Sequence, residues 1–168
     1  MLGGYNYADS TIYGFSMDHL SGTGCYFAEN FAFMPVPASQ AIVAPKDRYS
    51  FGTPFSHANE SAKPGYYSVK LDNGVRVQLT TTTRSGFGRF TYPGHGLATM
   101  TINAACTVNG TYLSFIRIDH KNRSVCGSAL SGHFCGSVED GTIYFYAVFN
   151  KPFKSYATWS GHHITRAR

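Results

Sequence analysis

Between Tyr67 and Leu79 the chain alternates apolar and polar residues on both sides of Asp72-Asn73-Gly74, and no other stretch constrains the fold as tightly. Tyr67, Val69 and Leu71 alternate with Ser68 and Lys70, while Val75, Val77 and Leu79 alternate with Arg76 and Gln78. A period of two marks strands with one buried face, and Asn-Gly marks a hairpin turn. The loop length follows from the faces. A two-residue Asn-Gly loop pairs Leu71 with Arg76 and mixes charge into the apolar side. A three-residue Asp-Asn-Gly loop pairs Leu71 with Val75, Val69 with Val77 and Tyr67 with Leu79, which leaves one face wholly apolar. A slip of one residue turns every side chain to the other face. The three-residue loop is therefore expected, with Gly74 left-handed in a G1 bulge.

The rest of the chain reads in the same way. Thr80 to Thr83 extends the second strand with β-branched residues. Further strands are expected at Gly88–Tyr92, Ala98–Ala104, Tyr112–Ile118 and Thr142–Phe149, with a turn at Asn109-Gly110. In the last of these, Ile143, Phe145, Ala147 and Phe149 form one face and Tyr144, Tyr146 and Val148 the other, so both faces are expected to be covered. Five prolines at 35, 37, 45, 54 and 64 give extended or turn structure. No helix longer than two turns is expected. The 168 residues suit one domain, and 13 Phe, 12 Tyr and 18 Gly against only 14% charged residues fit neither a disordered chain nor a helical bundle. Short strands with frequent turns predict an all-β antiparallel sandwich or barrel. No apolar run is long enough for a membrane helix, and no basic-then-apolar leader opens the chain.

The formal charge of +5 raises nucleic acid as a partner, but the basic residues are scattered singly and form no stripe. Neither nucleic acid nor membrane is expected as a partner. There are nine carboxylates, and no spacing pairs two of them as acid and base; Asp72 and the Glu139-Asp140-Gly141 run read as turns. The seven His form no HxH or HExxH pattern, and His162-His163 is at most an adventitious ligand pair, so no metal site is expected in the chain. No GxSxG is present. The cysteines at 25, 106, 126 and 135 do not space as a zinc finger; Cys126 and Cys135 flank a Gly/Ser-rich stretch and offer a short disulfide loop, with buried free thiols as the alternative. Sequons stand at Asn59, Asn109 and Asn122.

What remains is Asp18-His19-Leu20-Ser21-Gly22-Thr23-Gly24-Cys25, set among Tyr5, Tyr7, Tyr13, Phe15, Tyr26 and Phe27. Sugar recognition uses this mixture, because hydroxyls and amides meet planar hydrogen-bonding groups while ring faces cover the apolar side of the sugar. A structural Gly turn with Ser and Thr capping the backbone accounts for the same residues equally well.

These segments resemble the N-terminal domain of glycoside hydrolase family 92, the calcium-dependent exo-α-mannosidases. The likeness runs through Gly4-Tyr5-Asn6-Tyr7-Ala8-Asp9 to Gly14-Phe15-Ser16, then His19-Leu20-Ser21-Gly22-Thr23-Gly24-Cys25, then Asn30-Phe31 with Met34-Pro35-Val36. It continues in Phe55-Ser56-His57-Ala58-Asn59-Glu60 with Pro64-Gly65-Tyr66-Tyr67, in Leu79-Thr80 with Arg84, Gly86, Arg89 and Phe90, and in Ser131-Gly132 with Phe134-Cys135-Gly136. Tyr144-Phe145 and Lys151-Pro152-Phe153 close it, so it spans roughly residues 3–159 and leaves His162 to Arg168 outside.

The resemblance implies a β-sandwich that packs against a C-terminal (α/α)6 barrel not present in this chain. Residues 1–168 would be a single partial sandwich, incomplete at both ends, within a secreted or periplasmic enzyme. The barrel would supply the acid, the base and most contacts to calcium, and terminal α-mannosides, of α-1,2 type, would be hydrolysed with inversion. No catalytic residue is assigned to this chain, which is expected to be inactive alone. Its partners would be a mannose-containing glycan and that catalytic domain. The substrate-binding residues would be His19, Ser21, Gly22, Thr23, Gly24 and Cys25, followed by Asp18, His57 and Glu60. The alternative for His57 and Glu60 is a buried polar pair that holds a loop, and the alternative for the whole chain is a stand-alone carbohydrate-binding module. Two departures stand out: Met17-Asp18-His19 replaces the family's His-Thr-His, and Glu29 sits where Gly is usual.

Overall fold

The computed structural model describes residues 4–18, 24–25, 28–37, 44–45, 47–94 and 96–167. Strands in chain order are β1 (Thr11–Ile12), β2 (Ala32–Pro37), β3 (Thr53–Lys63), β4 (Tyr66–Leu71), β5 (Arg76–Thr81) and β6 (Gly86–Thr91). They are followed by β7 (Ala98–Asn103), β8 (Leu113–Asp119), β9 (Ser124–Gly132), β10 (Asp140–Val148), β11 (Tyr156–Ser160) and β12 (His163–Ala167). A 3-10 turn, Phe134–Gly136, lies between β9 and β10, and no α-helix occurs among the described residues. All pairings are antiparallel, as the sandwich reading requires.

The hairpin forms in the register that its faces dictate. Tyr67 pairs with Leu79 and Val69 with Val77. Leu71 N donates to Val75 O at 2.9 Å, Gly74 N donates to Leu71 O at 2.9 Å, and Gly74 has φ 87°. The Asn73 side chain accepts from Val75 N at 3.0 Å, which fixes the turn locally. Val69, Leu71, Val75 and Val77 are at most 1% exposed; burying each contributes about 1.5–3 kcal/mol.

Strand β2 links two sheets. Met34 and Val36 point to the five-stranded sheet β1-β3-β4-β5-β6 and join its core. Phe33, of the opposite parity, joins Phe31, Ala104 and Ala129 over the three-stranded sheet β10-β9-β8. Strand β2 pairs with β7 along its length, and on its other edge Phe33 bridges to Phe15; beyond that bridge Pro35 and Pro37 have no strand partner on that edge among the described residues, so a missing N–H is tolerated there.

Three expectations change. The outer face of β10 is bare, because Tyr144, Tyr146 and Val148 are 63–77% exposed and only the Ile143–Phe145 side packs inward. Asp140 and Gly141 open β10 instead of forming a turn. The disulfide joins Cys25 to Cys135, not Cys126 to Cys135, with a Cα separation of 5.3 Å. Cys126 lies within β9 and is free, so it has no access to the turn that carries Cys135.

Candidate functional site

The loop between Asp18 and Glu29 is tied at three points. Glu29 N donates to Asp18 O at 2.8 Å. The Asp18 carboxylate accepts from Asn30 N at 2.9 Å and from Asn30 Nδ2 at 2.6 Å. Asn30 is 1% exposed, and its Oδ1 accepts from Ser131 Oγ of β9 at 3.3 Å. The third tie is the Cys25–Cys135 bridge to the connection between β9 and β10. The two ends of the segment are thus held together, and Cys25 within it is covalently anchored. Of the predicted binding residues, His19, Ser21, Gly22 and Thr23 lie outside the described residues. Gly24 is exposed with φ 76°, and Cys25 is the anchor. Asp18 acts on its own backbone neighbourhood as a clamp.

The segment that leaves the loop is strained. Ala28, Glu29 and Phe31 all have φ between 56° and 65°, a region costly for residues with a Cβ. Glu29 thus occupies the left-handed backbone expected of a position where glycine is usual. The surroundings hold it there: its carboxylate accepts from Gly4 N and pairs with Arg48 at 2.7 Å. Its carbonyl accepts from the buried Cys106 thiol at 3.0 Å, and that sulfur in turn accepts from Ala32 N at 3.2 Å. Burial pushes the Cys106 thiol up to about 11, so it remains a donor.

The next residue after Gly4 reaches a second cluster. Tyr5 Oη donates to Glu60 at 2.7 Å, Tyr67 Oη donates to Glu60 at 2.8 Å, and His57 Nδ1 completes the set. Phe55 pairs with Leu71 and Glu60 with Val69, so the residues between them bulge, and this turns His57 back toward Glu60. The His57 ring stacks on Tyr7 with centroids 4.1 Å apart and takes Phe55 edge-on at 5.1 Å. Burial pushes the Glu60 carboxyl upward, but the hydrogen bonds from His57, Tyr5 and Tyr67 outweigh it and hold Glu60 below its ordinary value. The hydrogen bond to Glu60 raises His57, and the separate Tyr5–Glu60 hydrogen bond pushes the Tyr5 phenol up to about 12. His57 and Glu60 are thus a braced ion pair, with Tyr5 and Tyr7 standing 59% and 70% exposed beside them.

Sequence reasoning found His57 and Glu60 but missed Tyr5, Tyr67, Arg48 and Cys106 as the groups that hold the two clusters. Alternation marks Tyr67 as core, and nothing local marks residue 5 as a partner of residue 60. Among the described residues no three His, Cys, Asp or Glu come together to hold a cation.

The chain is matched over residues 1–168 by the family model described as glycosyl hydrolase family 92 N-terminal domain, so His162 to Arg168 belong to the matched region after all. The family GH92 α-mannosidase BT3965 from Bacteroides thetaiotaomicron is similar in structure, with a TM-score of 0.80 and 27% identity over 99% of this chain and 24% of that one. The GH92 glycosyl hydrolase ccman5 shares the fold at a TM-score of 0.80 and 22% identity, over 97% of this chain and 24% of its own. An uncharacterized secreted glycosidase of Arthroderma benhamiae is 30% identical over 95 residues, which are 54% of this chain and 12% of that protein. The chain thus spans about a quarter of the length of the solved structures it matches.

Proposed function

The chain belongs to glycosyl hydrolase family 92, as its N-terminal domain, and from that premise we propose that it forms the glycan-contacting wall of an α-mannosidase. The enzyme would remove terminal α-mannosides, of α-1,2 type, with inversion. The observation that carries this reading is the Asp18–Glu29 loop, closed on itself and anchored through Cys25 to a second sheet. On this reading His19, Ser21, Gly22 and Thr23, between the tied ends, are the residues that meet the sugar, and closing a loop in advance lowers the entropy cost of binding. Tyr5 and Tyr7, held beside it by Gly4 and by the Glu60 cluster, offer ring faces for a sugar.

The acid and base come from the (α/α)6 barrel outside this chain. Inverting hydrolysis needs one carboxylic acid held above its ordinary range and one carboxylate facing an attacking water. Glu60 and Asp119 are both held below the ordinary range, Asp119 by the Asn122 backbone and side-chain amides. Asp18 and Glu29 are engaged as clamps. The bridge Cys25–Cys135 fits a secreted or periplasmic protein. Calcium would be bound mainly outside this chain.

The test is turnover of an α-1,2-mannobiose, with calcium, by the chain alone and by the protein that carries the barrel. The chain alone should be silent. The complete protein should release β-mannose first, seen by NMR, and Thr23→Val should lower kcat/KM about tenfold through a lost hydroxyl contact. Turnover by the chain alone, or sugar binding with no turnover by the complete protein, refutes the reading.

A further inference from the structure

The outward face of the five-stranded sheet has an unusual charge pattern. The residues Val69, Leu71 and Val77 point into the core, so Lys70, Arg76 and Arg89 point the other way, with Lys63 opposite Tyr66 on the same side. All four cations are exposed, and none makes a hydrogen bond or an ion pair with a carboxylate among the described residues. Asp72, the nearest acid along β4, lies in the turn and forms no ion pair with a described residue either. Lys70 and Arg76 stand directly opposite each other. Like charges in that position destabilise a sheet, and an anion lying between them removes the penalty.

Beside the cations is a shallow depression of about 200 Å3, bounded by Tyr66, Gln78, Thr80, Phe87 and Arg89. Phe87 is 66% exposed, two residues from Arg89 on the same face. Gln78 Nε2 donates to Tyr66 Oη at 2.7 Å, and the Lys63 ammonium covers the Tyr66 ring at 5.7 Å. Tyr66 is therefore fixed as a wall, and Phe87 is the bare platform. The patch is separate from the Asp18–Glu29 loop: Met17, at the root of that loop, packs where a Cβ on Gly86 would point, which is the core side of β6.

We propose that this face binds an acidic polysaccharide, with a sugar ring on Phe87 and its anionic groups on Arg89, Arg76 and Lys70. One bare ring beside a short row of cations fits a sugar chain better than nucleic acid, whose affinity is dominated by many phosphate contacts. The proposal rests on membership in a glycosidase family and not on mannosidase activity.

The probes are polygalacturonate, dextran sulfate, neutral dextran and duplex DNA, each titrated against the protein at two salt concentrations. Binding to at least one acidic polymer is expected, weakened by salt, with neutral dextran about tenfold weaker or worse. The carboxylate and sulfate arms identify which anion is preferred. Arg76→Ala with Arg89→Ala should weaken binding about tenfold, and Phe87→Ser several-fold, with an unfolding midpoint no lower than that of the parent and with α-mannoside turnover by the complete protein unchanged. Three results overturn the proposal: no binding to either acidic polymer, tighter binding to DNA than to both, or indifference to Phe87→Ser. Absence of mannosidase turnover in the parent protein leaves it standing.

Discussion

Glu60 shows how a single carboxylate is fitted to a structural task. It accepts from His57, Tyr5 and Tyr67, and its side chain is only 10% exposed. Its carboxyl lies below the ordinary 4.5, so its contribution is present above that pH and is lost as pH falls through the depressed value. His57 lies above the ordinary 6.5, so its contribution is complete below that pH and is lost as pH rises through the raised value. The pair is therefore strongest between pH 4.5 and 6.5. Glu60→Gln should lower the urea midpoint most within that window and less at alkaline pH. An equal loss at every pH would show that the ion pair contributes nothing. His57 and Glu60 were legible in the sequence as one motif. Their partner Tyr5 was not, because a contact across 55 residues leaves no local trace.

At the scale of elements, the sheet β10-β9-β8 depends on a glycine that alternation alone does not identify. A Cβ on Gly127 would lie 2.2 Å from Phe115 O and 2.7 Å from the Phe145 ring. Gly127 stands between Ile116 and Phe145, so the Phe145 ring covers the space above its Cα. Gly127→Ala should cost about 3 kcal/mol, since strand backbone must move to accept it. Gly141→Ala, in β10 with open space around it, should change stability by under about 0.5 kcal/mol. Chemical denaturation of the two variants checks this, and equal effects would show that β9 accommodates the methyl. The Cys25–Cys135 bridge acts between elements. It spans 110 residues, and Cys135→Ser should lower stability by about 2–5 kcal/mol, measured against wild type without reductant. A loss well under that range would mean that the Asp18–Asn30 and Glu29 ties alone hold the loop. The hairpin register was legible because the faces and the turn residues agree. The disulfide was not, because adjacency in sequence favoured Cys126, whereas β9 carries that residue away from the turn.

At the scale of the whole molecule, the same alternation that identified β10 misjudged its surroundings. Apolar residues of both parities suggested cover on both sides, but the packing supplies it on one. Phe115, Ser128 and Tyr144 lie in one row across the outer face, and Arg117, Cys126 and Tyr146 in the next. Leu113 is 70%, Phe115 56%, Tyr144 77% and Tyr146 68% exposed. Exposed apolar groups gathered in one place are normally covered by another surface. The flanking strands β8 and β10 both end their sheet, so their unpaired backbone groups add a second route to association. The isolated chain is therefore expected to self-associate through this face. Sedimentation velocity should show the weight-average mass rising with concentration at moderate salt. Phe115→Lys with Tyr144→Lys should return the chain to a monomer, because two charges in one row repel their copies across a symmetric contact. Two alternatives read out differently. A wild-type chain that stays monomeric at all concentrations means that the tyrosine hydroxyls and Arg117 suffice to keep the face in water. Association that survives the double substitution places the contact on the sheet edges instead.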